Sequence, residues 1–307
     1  MVNYHALTSS LNLSGTNVVV VGGTHGIGAA IATRFAELGS SVLIMGRNES
    51  AGNAIVSAMR NAARTEAKLA FVRADLGTVK AIRKAPDDIA AWAGAQGVDY
   101  LIQCQGGPRM GIWPPTRESA TIAFNVQLLS HFLIPYLLLS RPQPVLRQGA
   151  RISNIMRPGA QVQVLDLDDP MGLNLIEKGK LAYLKNIRLG IPFMADLFTE
   201  EFNRRFPQVH TMHVYPGSVA TNFVDSFGWL IRLVYAIFSL FAQSPEAYAD
   251  VAVWQHASDE WKARGWAFFN HKGREVTVDK RVTEEGDDGI RAAVWAKMLE
   301  LSDEKQL

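Results

Sequence analysis

A single cysteine, Cys104, stands among the 307 residues. It excludes an intramolecular disulfide and is compatible with a reducing compartment. The chain also lacks any block of Lys or Arg, and with a formal net charge of +2 no nucleic-acid partner is expected. The N-terminal residues 1–15 have neither the basic start nor the apolar run of a secretory signal, so a cytoplasmic location is expected. The mostly apolar stretch Trp229–Ala242 is broken by Arg232 and is shorter than the roughly 20 residues of a membrane-spanning helix. No transmembrane segment is expected, although its apolar face suits peripheral membrane contact. No repeat or low-complexity tract is present, and no metal site is assigned.

What is present is a regular alternation. The run Asn17–Val21 is apolar and β-branched, glycines come after it, and then Ile27, Ile31, Phe35 and Leu38 recur at helical spacing. Further strands are expected at Ser41–Met45, Leu69–Arg73, Asp99–Gln103, Ala150–Ile155 and Val209–Val214. Helices are expected near 48–65, 81–95, 116–139 and 181–206, with a polar loop over 157–177. Strand and helix in alternation predict an α/β fold, a Rossmann-type doubly wound parallel sheet, and the length suits a single domain over 1–307. An apolar lid over about 223–242, an amphipathic helix from Ser244, a closing strand within 265–278 and a charged C-terminal extension over about 280–307 complete the reading.

Gly22, Thr24, His25, Gly26, Ile27 and Gly28 lie between a buried strand and a helix. A glycine-rich turn in that setting lets the backbone approach a pyrophosphate, and the helix N-terminus binds its charge. At the end of the second strand Met45-Gly46-Arg47-Asn48 offers no acid to receive a ribose 2′-hydroxyl, whereas Arg47 suits a 2′-phosphate. NADP(H) is the cofactor expected.

The GxxxGxG spacing between strand and helix resembles the fingerprint of the short-chain dehydrogenases/reductases, with Val21 in place of the usual threonine. The resemblance extends, in order, through Asp75-Leu76 (an adenine-contacting pair), Gly106 (the one match to an NNAG segment), Asn125 (support of the active-site water and proton relay) and Pro216-Gly217-Ser218-Val219-Ala220-Thr221 (a segment lining the nicotinamide). It implies cofactor contacts from Asp75, Leu76, Gly106, Asn125, Pro216, Gly217, Val219 and Thr221. Each also has an ordinary explanation: a helix cap at Asp75, a structural amide at Asn125, a turn at Pro216-Gly217.

The chemistry that the resemblance implies is displaced. Its serine would come after the fifth strand, where Met156 and Arg157 stand, while Ser153 lies within the strand. Its YxxxK pair would lie on the next helix, but the residue four after Tyr183 is Ile187, and alignment on Phe198-Thr199-Glu200-Glu201-Phe202 puts Arg188 and Pro192 at the two positions. Asn125, Tyr183 and Lys185 are the catalytic candidates, with Lys180 an alternative partner for Tyr183 on its helix face. Arg157 and Arg188 are the candidates if a guanidinium polarises a carbonyl.

The lid residues Phe223, Phe227, Trp229, Tyr235, Phe238 and Phe241 suit a hydrophobic small-molecule substrate, although a core helix, a subunit surface or a membrane contact suits them equally. The glycine loop, the missing YxxxK and the stretch 198–217 together look like divergent fungal members of the family, some of secondary metabolism, which implies a terpenoid or polyketide substrate and a homodimer or homotetramer. The leading expectation is an NADP(H)-dependent oxidoreductase interconverting alcohol and ketone. A non-redox isomerase, dehydratase or cyclase, or a catalytically silent binding subunit, stands beside it.

Overall fold

The computed structural model describes residues 2–106, 116–219, 243–284 and 289–303. Thr221, the lid assigned to 223–242 and part of the C-terminal extension lie outside the described residues, as does the side chain of Lys180. β1 (Asn17–Val21), β2 (Ser41–Gly46), β3 (Leu69–Arg73), β4 (Val98–Gln103), β5 (Leu146–Ile155), β6 (His210–Tyr215) and β7 (Phe268–Asn270) form one parallel sheet in the order β3-β2-β1-β4-β5-β6-β7. All five residues of β1 are buried. A strand sealed on both faces has no polar side to present, which is why it reads as an unbroken apolar run.

Between the strands run α2 (Gly26–Glu37), α3 (Glu49–Ala62) and α4 (Val79–Ala93). After β4 comes one long helix composed of α5 (Arg117–Phe124), a π turn (Asn125–Leu129) and α6 (Ser130–Leu139). The helix before β6 is built likewise, from α8 (Lys180–Lys185), a π turn (Asn186–Gly190) and α9 (Ile191–Arg205). Each π turn inserts an extra residue and rotates the helix C-terminal to it. Heptad-style spacing across residues 181–198 therefore misreads which side chains share a face.

Two elements depart from the sequence expectation, at residues 4–9 and 173–177. Residues 4–9 form α1 (Tyr4–Ser9) instead of leading straight into β1. Thr8 Oγ1 and Arg34 Nε of α2 both bind Asp250 Oδ1, at 3.0 and 2.8 Å. Asp250 belongs to α10 (Pro245–Ala257), so the short helix, capped locally by Asn3 on Ala6 N, is held in place by tertiary contacts. The polar loop 157–177 ends in a turn of helix, α7 (Leu173–Glu177). Beyond α11 (Asp259–Arg264), the C-terminal extension supplies α12 (Lys280–Thr283) and α13 (Ile290–Glu300).

α13 covers the most apolar helix among the described residues. Trp295 packs against Phe132 and Phe202 at centroid distances of 4.8 and 4.9 Å, with Arg205 over its ring. The helix Arg117–Leu139 is long and apolar enough by composition to cross a membrane, yet 78% of its apolar window is buried inside the fold. Its hydropathy is that of a core helix.

Candidate cofactor-binding site

A cleft of about 1000 Å³ opens at the C-terminal ends of β1, β2 and β4, where the strand order reverses from β1 outward to β4, the place where ligands bind in doubly wound sheets. Gly22, Thr24, His25, Gly26, Ile27, Gly28, Arg47, Leu76, Gly106 and Pro216, all anticipated from the sequence, line it. Backbone geometry dictates the glycines. Gly22 has φ +80°, and a Cβ there would lie 2.7 Å from Gln105 N; at Gly28 it would lie 2.3 Å from Gly22 O. Side chains at these positions would push the turn away from β4 and α2 away from the turn.

α2 begins at His25 with no side-chain cap on its first amides, so these donors are left for a ligand. His25 Nδ1 lies 3.2 Å from Thr24 Oγ1, and the Thr24 methyl occupies the space over Gly46, where a Cβ would come within 2.6 Å. Arg47 is exposed at the end of β2 and lines the cleft, in a segment, 45–48, that carries no acid. Uncapped amides, a cradle closed to any Cβ and an exposed guanidinium together fit a phosphorylated dinucleotide.

Other anticipated residues take different places. Asp75 Oδ1 accepts from Gly77 N at 3.2 Å, a local turn outside the cleft lining. Asn125 is buried in the π turn, where its amide donates to Gly77 O at 3.0 Å, and its neighbour Val126 faces the cleft instead. Gly217 and Val219 are likewise outside the lining; Gly217, at φ +76°, is pressed against the His271 ring.

The anticipated pair Tyr183 and Lys185 needs correction. Tyr183 is 4% exposed within the apolar core, where burial raises its pKa, and Lys185 is exposed. Neither lines the cleft. Two residues apart on α8, the two side chains point in different directions, Tyr183 into the core and Lys185 to solvent, so they form no pair. Arg188 in that turn and Arg157 just beyond β5 are both exposed, and Ser153 is buried with its Oγ 3.0 Å from His256 Nε2.

Sequence reasoning missed a buried polar rack beneath the cleft. Gln103, Asn154 and His213 are in register across β4, β5 and β6. Gln103 Nε2 donates to Asn154 Oδ1 at 2.8 Å, and His131 Nδ1 lies 3.0 Å from the same oxygen. The other ring nitrogen of His131 lies 2.9 Å from the carbonyl of Gln105, a cleft residue, and burial holds this imidazole down to about 4. His213 binds Asp196 of α9 at 2.7 Å. Polar residues within three strands of the sheet were the available signal, because buried polar groups are retained only when they find partners.

Residues 16–155 match the family model for short chain dehydrogenase. Among curated proteins, the polyprenol dehydrogenase of Mus musculus is 25% identical, over 94% of this chain and 84% of its own length. The WW domain-containing oxidoreductase of Gallus gallus is 23% identical over 85% of this chain, which spans 62% of that protein. Among solved structures, the angucycline C-6 ketoreductase LanV with bound NADP superposes with a TM-score of 0.60 at 21% identity, covering 85% of this chain and 95% of the other. Over residues 16–155 the chain is thus similar to the short chain dehydrogenases, and its fold is shared with solved structures of that kind.

Proposed function

We propose that the protein is an NADP(H)-dependent oxidoreductase that interconverts alcohol and ketone on a hydrophobic small molecule. The observation that carries the reading is the cleft itself, with its glycine cradle and uncapped α2 amides at one point and the exposed Arg47 at the end of β2. The amides at the start of α2 hold the pyrophosphate, Arg47 with Thr24 and His25 holds the 2′-phosphate, Leu76 packs beside the adenine, and Pro216 closes the nicotinamide end. The nicotinamide, when bound, supplies the hydride; the protein orients it and excludes water.

The hydrophobic substrate is consistent with the names of relatives that act on polyprenol and retinol. The test is a titration of the chain with NADPH and NADH, alongside Arg47→Ala, and then turnover of a panel of hydrophobic ketones read by nicotinamide absorbance. Tight NADPH binding that the substitution weakens, with turnover, supports the reading; no binding of either nucleotide overturns it. A second reading, non-redox chemistry on the same fold, rests on one observation. Tyr183 is sealed in the core, and no Tyr–Lys pair lines the cleft among the described residues. NADPH binding with substrate conversion but no absorbance change would favour it.

A further inference from the structure

Gln105 carries an acceptor that the protein leaves unused. It stands two residues beyond the end of β4, is buried, and lines the cleft. Its Nε2 donates to Gln103 Oε1 at 3.2 Å and to Ser130 Oγ at 3.0 Å, which spends both amide hydrogens. Its Oε1 is buried and has no donor among the described residues. A carbonyl oxygen removed from water without a donor costs stability, so it calls for a partner.

The neighbours settle which end of the carboxamide is which. Gln103 Nε2 donates to the backbone carbonyl of His131 at 2.9 Å and to Asn154 Oδ1 at 2.8 Å, and a main-chain carbonyl can only accept. Gln103 therefore turns its own oxygen toward Gln105, which has to answer with N–H. Ser130 Oγ gives its hydrogen to Val126 O at 2.8 Å, so it too accepts from Gln105. The backbone is fixed as well: Gln105 O lies 2.9 Å from His131 Nε2, and Gln105 N is so near the glycine turn that a Cβ on Gly22 would come within 2.7 Å of it. Turning the carboxamide over would set its oxygen against two acceptors.

Position along the cleft identifies the missing donor. In the order β3-β2-β1-β4-β5-β6 the glycine turn follows β1, Arg47 and Leu76 lie on the side of β2 and β3, and Ile155 and Pro216 on the side of β5 and β6. Gln105, after β4, is one strand from the glycine turn toward Pro216, between the pyrophosphate and the nicotinamide. The space beside it is open, since a Cβ on Gly106, the next residue of the lining, would meet none of the described residues within 4 Å. What a dinucleotide brings to that stretch is the ribose joined to nicotinamide, whose hydroxyls are donors. We propose that Gln105 is a positioning residue for the cofactor, its Oε1 accepting a hydroxyl of that ribose and so fixing the sugar that carries the nicotinamide. This rests on the NADP(H) reading of the cleft.

The test compares, by calorimetry on the full chain, the affinities for NADPH and for adenosine 2′,5′-diphosphate, which has the 2′-phosphate but no nicotinamide riboside. Gln105→Met keeps the length of the side chain and removes the acceptor. It is expected to weaken NADPH binding about tenfold and to leave the adenosine ligand within about twofold, the worth of one hydrogen bond at one end of the cofactor. The substitution also takes a donor from Gln103 and Ser130, so Ser130→Ala, a smaller change that frees the carboxamide to turn, serves if the methionine variant does not fold; about a threefold loss for NADPH alone is expected there. Unchanged NADPH affinity in the folded variants overturns the proposal. A loss of equal size for both ligands also overturns it, because it marks a distortion of the whole cleft. Failure of the unaltered protein to bind NADPH is a separate result that removes the cofactor reading, and this assignment with it.

Discussion

The two halves of the sheet carry their functional residues in different ways. Around β1 and β2 the site is made of backbone: Gly22 and Gly28 are fixed by contacts that no side chain fits, and the anticipated glycine-loop residues line the cleft where the sequence put them. Around β5, β6, α8 and α9 the site depends on side chains. There Tyr183 has gone into the core, Met156 and Arg157 stand where a serine was expected, and a buried Asp196–His213 pair supports the turn that leaves β5. Backbone sterics leave one residue type and so preserve a motif, whereas a side chain can be exchanged for another if its neighbours still pack.

The largest expected effect that would break this contrast comes from acid. Burial depresses His131 to about 4 and His256 to about 3, from an ordinary 6.5. A folded-state pKa below the unfolded value means that the unfolded chain binds more protons. Stability is thus full above about pH 6.5 and falls as the pH drops toward 4, by up to about 1.4 kcal/mol per unit for each histidine. Asp196 acts in the opposite sense, because its raised pKa makes protonation of the folded state easier. Both histidines contact β5, so amides of β5 and β6 should lose protection before those of β1 to β3 as the pH falls. Uniform loss across the sheet in a pH series of hydrogen exchange would remove the distinction.

On the backbone-built side, Gly28→Ala is expected to destabilise the fold by about 3 kcal/mol and to abolish nucleotide binding, since its Cβ meets Gly22 O with no space to relax. Thermal melting and NADPH titration measure the two. Arg47→Ala should leave stability unchanged and cost about 2 kcal/mol in NADPH affinity, the worth of charge-assisted hydrogen bonds, with little change for NADH. An equal loss for both nucleotides would remove Arg47 from 2′-phosphate recognition. The smallest effect is expected at Tyr183→Phe, which should alter neither turnover nor its pH profile by more than about twofold, because a general acid must reach the reacting atoms. A large drop in turnover would return Tyr183 to the chemistry.

How far the sequence was legible tracks the same division. β1, β2 and β4 agree with expectation to within a residue or so, because strands buried on both faces announce themselves as apolar runs, and the half-buried edge strand β3 is found at Leu69–Arg73 as expected. α1 was missed, since its six residues carry no amphipathic pattern; the Asn3 cap on Ala6 N was the local signal, and contacts with Arg34 and Asp250 hold the helix in place. Asn125 and Tyr183 were placed by motif order, and each π turn shifted the faces that such order assumes. Gln103, Asn154, His213 and Asp196 were passed over because their partners lie on other elements.

The sequence by itself determined the α/β alternation, the parallel sheet and the glycine cradle, because each is encoded in a short window by periodicity or by a conformation only glycine adopts. Tertiary structure alone decided which polar residues meet beneath the cleft, that Tyr183 is sealed away from it, and that the C-terminal helix covers the apolar helix 117–139. Those outcomes depend on side chains brought together from distant strands and helices, and no local pattern records which of them will face one another.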